Sequence, residues 1–206
     1  MSRNLLIDPG HGGFDPGAVN QELRIYEKDI NLKIALAVKD ELSKSRHLNV
    51  MMVRGSDYYV SLCDIVKIAN KENAILLSIH CNSSENPLAQ GFETWRYTSS
   101  PKSSAFDLAC TVHGELGSAL CYPTVIMEDR GLKYFYDEKK DENVNRPIKV
   151  LKDVTTAILV ECGFISNEHD AALLQKDSFL DMLAKALSKG IDSYAASHVQ
   201  YTPEET

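Results

Sequence analysis

Short apolar runs recur along this chain, and a helical pattern fills the interval between each and the next. Leu5–Ile7, Val50–Val53, Ile75–Ile79 and Ala157–Val160 are too short for helices of their own and too uniformly apolar for strands with one wet face, so they read as strands buried on both sides of a mainly parallel sheet. Phe92–Tyr97 alternates and is rich in aromatics, which predicts a further strand nearer an edge. Helices are expected over Ile30–Leu42, Leu62–Asn70, Ser104–Leu120 and Phe179–Ala195; in the last, Phe179, Leu183, Ala186, Leu187, Ile191 and Tyr194 recur at three- and four-residue steps. Strands that alternate with helices make an α/β fold, and 206 residues is the length of one domain. Two stretches break the rhythm. Tyr134–Pro147 carries the charged run Asp137–Glu142 with no period and reads as a solvated loop or hairpin, an insertion placed at residues 131–148. Ser197–Thr206 is polar and reads as a frayed tail or the start of a linker, which leaves residues 1–196 as the domain.

A net charge of −7 argues against binding nucleic acid, which needs a basic face, and gives no general attraction to an anionic membrane. An anionic polymer has to be held by local contacts instead. Leu5–Ile7 is too short for a signal-peptide core and no small-residue cleavage site follows it, and no run approaches the roughly 18 apolar residues of a membrane span. The expectation is a chain synthesised in the cytoplasm without a signal peptide and released by other means. The five cysteines include no CxxC pair, so neither a thiolate zinc site nor a disulfide framework is expected.

Four segments carry chemistry, and three of them close an apolar run, at the strand edge where ligands bind in open α/β sheets. Asp8-Pro9-Gly10-His11-Gly12-Gly13 is a glycine-packed turn presenting one histidine, without the GxGxxG or GxxxxGK[ST] pattern of a phosphate loop. Ser78-Ile79-His80-Cys81-Asn82 places a second histidine at the end of another strand. Imidazoles converging from two strands suit a zinc ion. Glu27 opens the first helix; an acidic residue there is explained by the helix dipole alone, yet it also completes a His₂Glu set with a fourth position open for water, the ligand count of a catalytic site. Glu161 ends Ile158–Val160, and a carboxylate in so apolar a place needs a partner or a task; beside zinc it is the group expected to take and return a proton.

These segments, with Glu27-Lys28 followed by Asn31-Leu32, Gly91-Phe92-Glu93-Thr94-Trp95 and Leu159-Val160-Glu161-Cys162-Gly163-Phe164-Ile165-Ser166-Asn167, resemble the zinc-dependent N-acetylmuramoyl-L-alanine amidases of the amidase-3 type, in the family's order and spacing from Leu5 to Tyr194. The resemblance implies a single α/β domain with a mixed, mostly parallel sheet flanked by helices. It implies one Zn²⁺ held at His11, Glu27 and His80, with Glu161 as the catalytic glutamate. The implied substrate is peptidoglycan, cut at the amide between N-acetylmuramic acid and the L-alanine of the stem peptide, and the implied setting is a phage endolysin or another lytic enzyme. Asp8 and Asp15 both lie close enough in sequence to fix a ligand histidine's tautomer.

The chain departs from the family pattern at Ile65, where members commonly carry an arginine, so an ion pair is expected to be lost there. Cys81 and Cys162 follow His80 and Glu161 directly; neighbours on a strand point to opposite faces, which assigns both thiols to the core. His47, His113, His169 and His198 read as solvated or structural, and Trp95 and Tyr97 as packing residues rather than sugar platforms. Two other functions compete: another zinc hydrolase of wall fragments, such as a peptidase or deacetylase, and an inactive wall-binding regulatory relative. The second needs ligands to be missing, and His11, Glu27, His80 and Glu161 are all present.

Overall fold

The period-two alternation of side chains along the apolar runs sorts them onto two faces of one sheet. In the computed structural model, which describes residues 2–97, 104–121, 127–135 and 148–198, Leu5, Ile7, Ile75, Leu77, Ile79, Ile158 and Val160 belong to a large apolar cluster. Leu6, Leu76, Ala157 and Leu159 belong to a smaller one on the other side. The strands are β1 (Arg3–Pro9), β4 (Leu48–Met52), β5 (Ile75–Asn82), β6 (Phe92–Tyr97), β7 (Asp129–Phe135) and β8 (Ala157–Phe164), with β2 (Val19–Asn20) and β3 (Ile25–Tyr26) forming a separate small hairpin. The six-stranded sheet runs β4-β1-β5-β8-β6-β7. Its first four strands are parallel; β6 lies antiparallel to β8, and β7 runs parallel to β6.

Helices α1 (Glu27–Glu41), α3 (Ser104–Leu120) and α6 (Asp177–Ser197) pack on the large-cluster face, whose buried residues include Ile34, Val38, Leu108, Val112, Leu183 and Leu187. Helices α2 (Leu62–Lys71) and α4 (Ile148–Asp153) cover the other face through Ile65, Ala69, Val150 and Leu151. Helix α5 (Glu168–Leu174) follows β8, capped by the Asn167 side chain. The result is the expected α/β domain with a mixed, mostly parallel sheet between helical layers. No helix among the described residues is long and apolar enough to cross a membrane.

The chain order positions the site. From β1 the chain moves outward to β4, then passes back over β1 to β5, so β1 and β5 leave in opposite directions and a crevice opens beyond their carboxyl ends. Parity along the strands then decides which side chains reach it. Asp8 continues the face of Leu6, Ser78 and His80 that of Leu76, and Glu161 that of Leu159. Cys81 and Cys162 fall on the opposite face, inside the large cluster as expected.

The insertion expected at 131–148 needs correction. Residues up to Phe135 form β7 and a helix begins at Ile148, while 136–147, including the charged run Asp137–Glu142, lie outside the described residues. Strand β7 was hidden because Asp-Arg-Gly-Leu-Lys-Tyr-Phe has no clean alternation, as suits an edge strand with both faces partly wet. The tail also starts later than expected: Ser197 is the last residue of α6 and His198 caps it, with 199–206 outside the described residues.

Candidate active site

His11 follows β1 in the left-handed region, at φ +64°, a conformation that costs a residue with a Cβ about 1 kcal/mol or more and persists only where the surroundings impose it. The Gly10 N–H donates to the Ile79 carbonyl at 3.0 Å, and Gly12 and Asp15 exchange backbone hydrogen bonds of 2.9 and 3.1 Å around the histidine. Glycine is required on either side of the ligand cluster. A Cβ on Gly10 would lie 2.2 Å from the His80 ring, and one on Gly17, at φ +66°, would lie 2.5 Å from a Glu27 oxygen.

Glu27 is the first residue of α1, and its buried carboxylate joins the two histidines. Its Oε2 lies 3.2 Å from His11 Nε2 and its Oε1 lies 2.9 Å from His80 Nδ1. The Ala18 N–H donates to Oε2 at 2.8 Å, and the Cys81 N–H and Asn31 Nδ2 donate to Oε1 at 3.1 and 3.3 Å. Burial works against this charge, but the paired histidines outweigh it and hold the carboxyl well below the usual range. The reverse holds for His11. Burial disfavours its cation, yet hydrogen bonds and charge from Glu27 and Asp15 raise it to about 9; His80 is raised in the same way by Glu27.

His11, Glu27 and His80 each offer one ligand atom within 4.8 Å of the others, and this group could hold a metal ion. The donor set is two imidazoles and one carboxylate, matching the preference of zinc for nitrogen with a harder oxygen. The other nitrogen of His11 is engaged as a ligand histidine's should be: Nδ1 meets Asp15 Oδ2 at 2.9 Å. That settles the choice between the two aspartates, since Asp8 instead accepts from the Ser78 hydroxyl at 2.7 Å.

Glu161 pairs in register with His80 on β5 and with Glu93 on β6. Its Oε2 is buried without a hydrogen-bond partner, a costly state that points to a missing group in front of it. Burial pushes this carboxyl up to about 7; the His80 charge opposes the shift, and the Glu27 and Glu93 charges add to it. A cavity of about 400 Å³ opens over His11, Glu27, His80 and Glu161. Its other wall is apolar and includes Val53, Val60, Leu62 and Ile65. Ile65 is thus part of the cavity lining and of the smaller core cluster, in a place where no ion pair is made.

Sequence reasoning missed two charged residues that hold this arrangement. Arg54 follows β4 and is 1% exposed; its Nε donates to Pro9 O at 2.9 Å, Nη2 to Gly10 O at 3.2 Å and Lys28 O at 2.8 Å, and Nη1 to Ser56 O at 3.1 Å. It ties the His11 turn to the start of α1. Glu93, also buried, accepts from Asn82 Nδ2 at 3.0 Å, Trp95 Nε1 at 2.9 Å and Arg130 Nε at 3.0 Å. The signal available was the one used for Glu161, a charge at the end of or inside an apolar strand. Trp95 itself stacks on Phe135 at 4.5 Å, a packing contact as expected. His113 bridges Thr94 and Asp129 at 3.0 and 2.9 Å and stands apart from the cluster.

Residues 5–193 match the family model Amidase_3, described as N-acetylmuramoyl-L-alanine amidase. The chain is 35% identical over 194 residues to the endolysin of Bacillus phage SPP1, covering 93% of this chain and 65% of that protein. It is also 35% identical over 193 residues to the sporulation-specific N-acetylmuramoyl-L-alanine amidase of Bacillus subtilis strain 168, covering 91% and 66%. The chain therefore spans slightly less than two thirds of either relative. Among solved structures, the N-acetylmuramoyl-L-alanine amidase of Clostridium difficile 630 superposes with a TM-score of 0.83 at 33% identity, covering 96% of this chain and 98% of that one.

Proposed function

The chain belongs to the N-acetylmuramoyl-L-alanine amidase family, and from that membership we propose that it hydrolyses the amide between N-acetylmuramic acid and the L-alanine of the peptidoglycan stem peptide, as a lytic enzyme of the endolysin or autolysin kind. The observation that carries the proposal is the joining of the family match to Glu161, whose buried Oε2 has no hydrogen-bond partner, beside the His11–Glu27–His80 cluster in one cavity. The catalytic unit, expected over residues 1–196, is read as running to the end of α6 and its cap at His198.

His11, Glu27 and His80 would hold one zinc ion. Bound there, zinc supplies a Lewis acid for the scissile carbonyl and makes water more acidic. Glu161 is placed to accept the proton of the attacking water and then to deliver a proton to the alanine nitrogen, because an amide nitrogen must be protonated to leave. Burial raises this carboxyl above its ordinary range in the metal-free site, the direction that a group returning a proton near neutral pH needs. Asp15 keeps His11 in the tautomer that presents Nε2 to the metal, and Arg54 keeps the His11 turn and the Glu27 helix end in fixed relation. The apolar wall of Val53, Val60, Leu62 and Ile65 excludes water from one side of the cavity, which strengthens charge interactions at the reacting bond.

The test is product analysis on purified peptidoglycan. New L-alanine amino termini without new reducing sugar ends, abolished by a chelator and restored by zinc, are expected. Release of acetate in place of the amine would establish a deacetylase. No product from several wall types with zinc bound would leave the regulatory alternative.

A further inference from the structure

Phe14 is 81% exposed and Tyr59 is 43% exposed, yet their rings meet at 4.4 Å between centroids with planes 34° apart. They come from different loops, the His11 turn and the segment after β4. Each could have turned inward or been polar at no cost to the core, since neither belongs to a core cluster. Their position is the lip of the catalytic cavity: Tyr59 lines it together with His11 and Asp15, and Phe14 lies three residues beyond His11. The geometry points to a sugar-stacking platform: we propose that Phe14 and Tyr59 hold an N-acetylhexosamine ring of the glycan strand beside the cleft, a proposal that rests on the amidase reading of the site.

Three observations support a carbohydrate as the occupant. The platform is rigid: Lys28 Nζ donates to Gly13 O at 2.9 Å and to Asp57 Oδ2 at 2.7 Å, and the Gly13 N–H donates to Asp57 Oδ1 at 2.7 Å, locking the two loops together. An aromatic face fixed before binding loses little entropy when a sugar settles on it. The two basic side chains that tie these loops, Lys28 and Arg54, are also already committed to Asp57 and to backbone carbonyls, which leaves the exposed ring faces to the apolar C–H face of a sugar. Finally, a cavity of about 400 Å³ is at the small end of ligand sites and cannot enclose a polymer. The strand must leave it over a rim, and Tyr59, with Phe14 against it, provides an aromatic one.

The test uses a neutral N-acetylglucosamine oligomer, titrated into the zinc-loaded protein and followed by NMR. Shifts are expected at Phe14 and Tyr59. Phe14→Ala and Tyr59→Ala should each weaken binding about three- to tenfold, the worth of one aromatic stacking contact. Phe14→Tyr should retain affinity and Phe14→Leu should not, because stacking needs a ring and simple burial does not. Wild-type affinity in the double alanine variant, full retention by Phe14→Leu, or no binding by the wild type at millimolar glycan overturns the platform. Amine release from a soluble muropeptide is measured on the same wild-type sample. Its absence counts against the amidase reading, whatever the glycan titration shows about the rings.

Discussion

At the scale of single residues, the cluster of His11, Glu27 and His80 is a proton trap as well as a candidate metal site. In the metal-free protein the His11 cation is favoured up to about pH 9, against an ordinary 6.5, and the Glu161 acid form is favoured up to about 7, against 4.5. Both folded-state values are raised, so the folded state binds more protons than the unfolded chain and stability falls as pH rises. Glu161 loses its contribution between pH 4.5 and 7, and His11 between 6.5 and 9. Urea denaturation of chelator-treated protein should therefore show a midpoint declining across pH 4.5 to 9, and a flat or rising midpoint contradicts the geometry. Zinc competes with the same protons, so its apparent affinity should rise over the upper part of this range. His11, His80 and Glu161 stood out as candidates because each is an ionisable group at the edge of an apolar or glycine-rich segment, whereas Glu27, which the helix dipole alone would explain, entered with the resemblance. Which aspartate serves His11 was not legible. Asp8 lies three residues before His11 and Asp15 four after it, and only the left-handed turn at His11, followed by the Gly12–Asp15 backbone pair, brings Asp15 to Nδ1.

At the scale of elements, the strands that build the crevice are the easiest to read. β1, β5 and β8 lie between two helical layers, and burial on both faces leaves them nearly continuous apolar runs. β7 and α4 escaped notice for the converse reason. One is a wet edge strand, and the other spans six residues, too few for an amphipathic period to show. Nor does any local pattern encode the reversal at β6, since an antiparallel neighbour imposes the same alternation as a parallel one. Arg54 shows what the crevice demands of its loops. Four carbonyls from three segments converge on one guanidinium, whose planar fork can satisfy them together. Arg54→Met should cost about 3 kcal/mol, because it strands buried acceptors without water, and should weaken zinc binding by loosening His11 against Glu27. Arg54→Lys should recover only part of either loss. Unfolding midpoints and zinc titrations check both; a methionine variant of wild-type stability removes the clamp from this account.

At the scale of the whole molecule, a net charge of −7 and an aromatic lip suit a substrate held by local contacts rather than by a field. The candidate metal site joins the first turn, the start of α1 and the end of β5, so it links segments far apart in sequence. Zinc at one hundred times its dissociation constant should add about 2.7 kcal/mol to stability, which for a chain of this size corresponds to a rise in Tm of about 5–10 °C. Differential scanning calorimetry with and without chelator reads this directly, and an unchanged Tm places the metal elsewhere. The central claim is that binding the metal and moving the proton are separate tasks, given to His11, Glu27 and His80 on one hand and to Glu161 on the other. The rate of L-alanine amine release by zinc-loaded Glu161→Gln tests it most directly. The variant should carry one zinc ion per chain and lose roughly two or more orders of magnitude in rate, whereas wild-type turnover with the metal in place contradicts the assignment.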